Sequence, residues 1–454
     1  MQNGSVVRLC RFLGPSFAIL VGLAVICGSA AALPQQTPPP PLKLTLHDAV
    51  QLALKQNPSV QIAMLNLAES QKQSGIALSQ LLPEAEFNVS DRAVRANVQA
   101  NIGLNIPGFP KAVGPFQVFQ TGATFSAPIF DLSLWRRWQA SRKNIASADA
   151  ERTSVREQIV LLVVSQYLAA LRSGAEISAA QSQVDLAQAL YDQASDLEKH
   201  GSATSVDVLR SNVELQNEKQ LLLVAQTNQK ISLFGLAKLL NTTPQQPIVL
   251  TDQLSFFETP ELDVDQSLAE AYKSRPEVQQ LTAEQQALKY QKSADSASRF
   301  PALRFDGDYE QEGLSTSTII PTYVYEAGVT FPLFTGGRIH NEIARDRLEL
   351  EKINQSLQDE RNEIALEVET AAARLESARN QVQVANLGAQ LAQQEVQQSQ
   401  DRFKAGVVDN IEVVTAQNGL ARADENRIAA LYEYNQSRAD LARAIGRIET
   451  LYSK

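Results

Sequence analysis

The sequence predicts an α+β membrane protein built from two copies of one unit, in which very long helices alternate with short strand pairs. Three observations predict it. Leu132 to His200 and Arg338 to Lys404 are each close to 70 residues long without a proline. Between proline-marked boundaries the apolar period switches from helical to two. The whole order of elements then occurs a second time.

The long stretches come first because nothing shorter explains them. Val155, Ile159, Leu162, Val163 and Tyr167 fall on one helical stripe, and Ile364, Val368, Ala371, Ala372 and Leu375 do the same in the second copy. At about 1.5 Å per residue each helix would reach roughly 100 Å, more than a bilayer or an ordinary core requires.

The N-terminus has the layout of an export signal. Arg8 and Arg11 precede an apolar run from Phe17 to Cys27, and small residues follow from Gly28 to Ala32. That order predicts a signal peptide over 1–32, cleaved after Ala31 or Ala32. Cys27 raises lipid attachment as an alternative, although Ile26 stands where a lipid-attachment box needs a small residue. Cleavage would remove both cysteines, Cys10 and Cys27, and move the net charge from −9 to −11. The mature chain would then have no disulfide and no cysteine-bound metal. Beyond the signal no segment is expected to cross a bilayer as a helix, since Gln158 to Leu171 offers only 14 uncharged residues. Any crossing must be made by strands.

A Pro-rich linker, 33–43, contains Pro38 to Pro41 and reads as a stiff spacer. A helix is expected from near Leu46, through Asn57-Pro58, to Leu82. The first repeat spans 44–250, with a strand pair at about 84–130, a long helix at 132–199, a turn at Gly201 and a helix at 205–240. The second spans 251–454, with strands at about 302–334, a long helix at 338–404, a turn at Gly406 and a helix at 409–446. Asn57-Pro58 and Leu82-Pro83 recur as Arg275-Pro276 and Phe300-Pro301, each shifted by 218 positions. Pro128 and Phe130 recur as Pro332 and Phe334, shifted by only 204, so the first copy carries 14 extra residues between its strand regions, and Gly201 and Asp207 recur as Gly406 and Glu412, shifted by 205.

In the strands Leu303, Phe305 and Tyr309 alternate with Arg304, Asp306, Asp308 and Glu310. Tyr323, Tyr325, Ala327, Val329 and Phe331 alternate with Val324, Glu326, Gly328 and Thr330, and Phe87 and Phe125 hold equivalent places in the first copy. One apolar, aromatic-edged face and one polar face suit a membrane barrel. Phe87, Phe125, Phe305, Tyr309, Tyr325 and Phe331 are the expected lipid-facing positions. Four strands cannot close a barrel alone, because open edges are not tolerated in lipid. Other copies must supply the rest.

Taken together, the duplicated layout, the proline-bounded strands and the turns Lys199-His-Gly201-Ser-Ala-Thr-Ser-Val-Asp207 and Lys404-Ala-Gly406-Val-Val-Asp-Asn-Ile-Glu412 resemble the TolC family of outer-membrane efflux proteins. The resemblance covers essentially the whole mature chain. It implies a homotrimeric channel whose 12-stranded β-barrel, four strands per chain, continues into a long periplasmic α-helical barrel. It further implies helix tips at Gly201 and Gly406 that dock a periplasmic adaptor (membrane fusion protein), which joins the channel to an inner-membrane pump. The family places acids around the periplasmic constriction, so Asp207, Glu412 and Asp409 become gate candidates. Capping boxes at Thr204-x-x-Asp207 and Asp409-x-x-Glu412 are an alternative use of the same acids. This chain departs from the best-known members at Thr415, where they have a second acid, and at Phe403 and Val408, where latch partners are expected.

Other functions find no support. A net charge of −9 and a pI near 5.2 give no basic stripe for nucleic acid. His47, His200 and His340 lack ligand spacing, and no catalytic or cofactor motif is present, so neither enzyme activity nor a metal is expected. An exported coiled-coil scaffold or adhesin is the alternative reading.

Overall fold

A computed structural model describes residues 40–103, 107–108, 110–201, 203–257, 263–405, 407–408 and 410–453. The signal segment, most of the Pro-rich linker, Gly406 and Asp409 lie outside the described residues. The first repeat runs β1 (Leu42–Leu44), α1 (Leu46–Gln56), α2 (Pro58–Ser79), β2 (Glu84–Asn97), α3 (Val98–Ile102), β3 (Ala112–Phe130), α4 (Leu132–Lys199) and α5 (Ser205–Leu239). The second runs β4 (Ile248–Leu250), α6 (Val264–Ser274), α7 (Pro276–Ala297), β5 (Ala302–Gly313), β6 (Ile320–Thr330), α8 (Arg338–Lys404), α9 (Asn410–Ala444) and α10 (Ile448–Tyr452).

The long helices begin and end for local reasons. Asp131 caps α4 by accepting from the backbone N–H groups of Ser133 and Leu134. At its other end Gly201 takes φ +72°, a left-handed turn that only glycine adopts cheaply.

Three expectations need correction. The helix expected from Leu46 to Leu82 is two helices, broken at Asn57 and finished at Ser79. Asn57 has ψ 128° and Arg275, its counterpart, has ψ 122°, because a following proline excludes the helical conformation. Each proline instead opens the next helix. Leu42 and Lys43, assigned to the linker, belong to β1, which pairs in parallel with β4. Finally, among the described residues α4 does contain an 18-residue window apolar enough, by length and composition, to cross a membrane. Its residues serve a different purpose. Val160, Val163, Val164 and Tyr167 are fully buried against Val50, Leu236 and Leu240, forming the main core. The Tyr167 hydroxyl donates to Asp252 Oδ2 at 2.8 Å, which ties that core to the segment after β4.

A second junction is polar. Arg275, with 4% of its side chain exposed, meets Glu277 at 2.9 Å and also pairs with Glu367 on α8. Arg443 from α9 pairs with Glu277 and lies 3.3 Å from Glu157 on α4. Burial tends to raise the Glu277 carboxyl, but Arg443, the Ser154 hydroxyl and Arg275 outweigh it and hold it at about 2. Glu157 fares differently: burial pushes its pKa up to about 7, against the pull of Arg443. A raised carboxyl pKa means the folded chain holds a proton that the unfolded chain has released. Stability contributed by Glu157 is therefore present below its unfolded value of 4.5 and is lost as pH rises toward about 7. Glu157→Gln should flatten that decline in detergent melting curves taken across the window. An unchanged slope would assign the pH dependence elsewhere.

Candidate functional site

Two regions hold the residues singled out in the sequence, the four-stranded sheet and the far ends of the long helices. The sheet has order β2-β3-β5-β6 with every neighbour antiparallel. The register puts Phe87, Ala123, Tyr309 and Tyr323 in one row, and Ala85, Phe125, Gly307 and Tyr325 in the next. Phe305 lies between Ala127 and Ala327 on the same face. Directly opposed residues share a face, so the odd-numbered side is apolar and aromatic throughout this block.

That side is also open. Phe87 is 72%, Tyr323 66% and Tyr325 54% exposed. The Phe125, Phe305 and Tyr325 rings stack with centroids 5.9 to 6.4 Å apart. They close over Gly307, where an added Cβ would sit 2.5 Å from the Phe125 ring, so a glycine is required beneath them. Phe331 lies one residue past β6 and is not part of the sheet, because the Phe331-Pro332 step ends the ladder.

The even-numbered side carries Glu84, Glu86, Asn88, Gln120, Thr124, Asp306, Asp308, Glu310 and Glu326. Its Arg304 pairs with Asp306 at 3.1 Å, leaving the face strongly acidic. Among the described residues β2 and β6 each have a neighbour on one side only, so both sheet edges are open.

At the helix ends Asp207 is a cap. Its carboxylate accepts from the Thr204 backbone N–H at 3.0 Å and from the Thr204 hydroxyl at 2.7 Å, and Thr204 accepts from the Asp207 N–H in return. These bonds hold the Asp207 carboxyl below the usual range. Arg210 is 3.5 Å from it. Glu412 pairs with Arg402, which sits in the last turn of α8 across the turn from it. Sequence reasoning missed Arg402. The signal was available, since a basic last turn facing an acidic first turn is the arrangement that helix dipoles favour.

Phe403 and Val408, out of place as a polar latch, pack instead. Phe403 and Val413 bury against Leu190 of α4, with Leu197, Val408 and Val414 around them. The helix ends of the two repeats are thus joined by an apolar contact. No cluster of His, Cys, Asp or Glu suited to a metal occurs among the described residues.

Residues 49–242 and 268–447 match the pattern of the family described as outer membrane efflux protein. No curated relative matches the chain significantly. Among solved structures, the chain is similar to the CmeC outer membrane channel of Campylobacter jejuni at TM-score 0.78 and 18% identity, covering 89% of this chain and 86% of that one. It is similar to the outer membrane protein VceC of Vibrio cholerae at 0.75 and 15%, covering 88% and 96%. The open state of the MtrE outer membrane channel of Neisseria gonorrhoeae matches at 0.73 and 17%, covering 89% of each. At such identities these likenesses speak for the fold.

Proposed function

Since this chain belongs to the outer membrane efflux protein family, we propose that three copies close one twelve-stranded barrel in the outer membrane and extend it through the periplasm as a helical tunnel. The observation that carries this is the sheet: one face apolar and exposed, the other acidic, both edges open. A lone sheet of that kind cannot sit in lipid, whereas shared closure satisfies every edge. The apolar face then meets lipid through Phe87, Phe125, Phe305, Tyr309 and Tyr325, and the acidic face lines the pore.

The channel serves as the outlet of a tripartite efflux or type I secretion system. Its helix tips, at Gly201 and Gly406, dock a periplasmic adaptor that recruits an inner-membrane pump. Glu412 and Asp409 supply acids to the periplasmic constriction. Asp207 contributes charge there while capping its own helix. A ring of carboxylates favours cations.

Bilayer recordings test this reading. The reconstituted wild type should conduct with cation preference. Glu412→Ala should weaken that preference, because it deletes one acid per copy and leaves Arg402 without its partner. Absence of conductance would remove the channel, and unchanged selectivity would remove Glu412 from the constriction.

A further inference from the structure

The first strand pair is longer than the second, which is where the 14 extra residues of the first copy go. β2 and β3 pair from Glu84↔Ser126 as far as Asn97↔Ala112, but β5 reaches only Phe119↔Gly313. Arg92–Asn97 and Ala112–Val118 therefore pair with each other alone. At about 3.4 Å per residue this ribbon projects roughly 20 Å beyond the sheet. It does so at the end away from the long helices, with the short α3 at its tip.

Its faces reverse polarity. Up to Ser90 the even-numbered side of β2 is polar and the odd-numbered side is apolar. Above Asp91 the even-numbered side carries Val94↔Phe116 and Val118, with the exposed Arg92 opposite Val118 at the base of this block, while Ala93↔Gln117 lies on the other side. Val94, Phe116 and Val118 are half-buried, and Ala93 and Gln117 are exposed. The ladder is regular through Val94, so no slip causes the change. On the outside, passing from lipid into water explains why apolar residues stop. On the inside, an apolar cluster begins where the lower pore face, apart from Val324, was polar and acidic.

A two-stranded ribbon cannot cover such a face itself. The even-numbered side points toward the axis of the assembly, and the groups available across that axis are the same residues of the other copies. We infer that the projecting hairpins converge above the barrel, bringing Val94, Phe116 and Val118 together as an apolar constriction at the outer mouth. This rests on the shared-barrel reading above. An apolar ring resists water and ions, so the exit carries a second restriction, independent of the acids at the periplasmic end.

Alternation supplies the test. In a Cys10→Ser, Cys27→Ser background, Phe116→Cys and Gln117→Cys are compared in isolated outer membranes with a short bis-maleimide, and assembly is measured separately by sedimentation in detergent. Phe116→Cys should give covalent multimers on denaturing gels and Gln117→Cys should give none. Should Phe116→Cys fail to assemble, Val118→Cys reads the same face. Phe116→Ser should also raise single-channel conductance, with Gln117→Ser leaving it unchanged. An intact oligomer without Phe116 or Val118 cross-links overturns the constriction and leaves the channel standing. A single dispersed copy overturns both.

Discussion

Phe305→Arg should abolish assembled protein in the outer membrane. Phe305, the fourth residue of β5, lies between Ala127 and Ala327 and stacks on Phe125 and Tyr325. In the proposed barrel its ring faces lipid. A guanidinium facing lipid costs up to about 2–4 kcal/mol per copy, falling toward the interface, and each lost ring contact adds about 0.5–1.5 kcal/mol. Three copies share one barrel, so the penalties accumulate in a single assembly step. The neighbouring change Asp308→Asn, on the acidic face, should leave assembly intact while reducing cation preference. Comparing oligomer yield from the two variants checks the assignment of faces. Normal yield from Phe305→Arg would mean that this side never meets lipid.

Arg275→Met should be the most damaging change outside the sheet. The guanidinium is nearly buried at the break between α6 and α7, where it meets Glu277 at 2.9 Å, Glu360 at 3.9 Å and also Glu367. Removing it leaves Glu277, Glu360 and Glu367 without the guanidinium they share, and Arg443 still pairs with Glu277. Breaking a buried pair by deleting one partner typically costs about 3–5 kcal/mol. Chemical melting in detergent should register a loss of that order, and Glu367→Gln added to Arg275→Met should recover part of it. A loss below about 1 kcal/mol would place the pair among weak surface bridges.

The sequence was most readable where one chemical pattern governs a long run. Strand alternation from Leu303 to Tyr309 depends on period two alone, and the register keeps those residues on one face. The duplication was readable because prolines and glycines mark corresponding breaks. It was less readable where the answer is made by distant partners. Asn57 and Arg275 hold the same place before proline, yet one side chain donates to the Leu239 carbonyl while the other gathers acids as far away as Glu367. Periodicity on either side of Asn57-Pro58 reads straight through the break, because proline suits the first turn of a helix as well as its end. At the tips, Glu412 stood out by its spacing from a glycine, whereas its partner Arg402 was signalled only by a basic last turn preceding an acidic first turn, and α8 and α9 folded together pick it out among the basic residues there.

The most direct test of the account is the mass of the protein extracted in detergent from separated outer membranes. Three copies per particle in that fraction is the predicted result, since the open edges of one sheet then close on the next. A single copy, or protein released without detergent, would contradict the shared barrel.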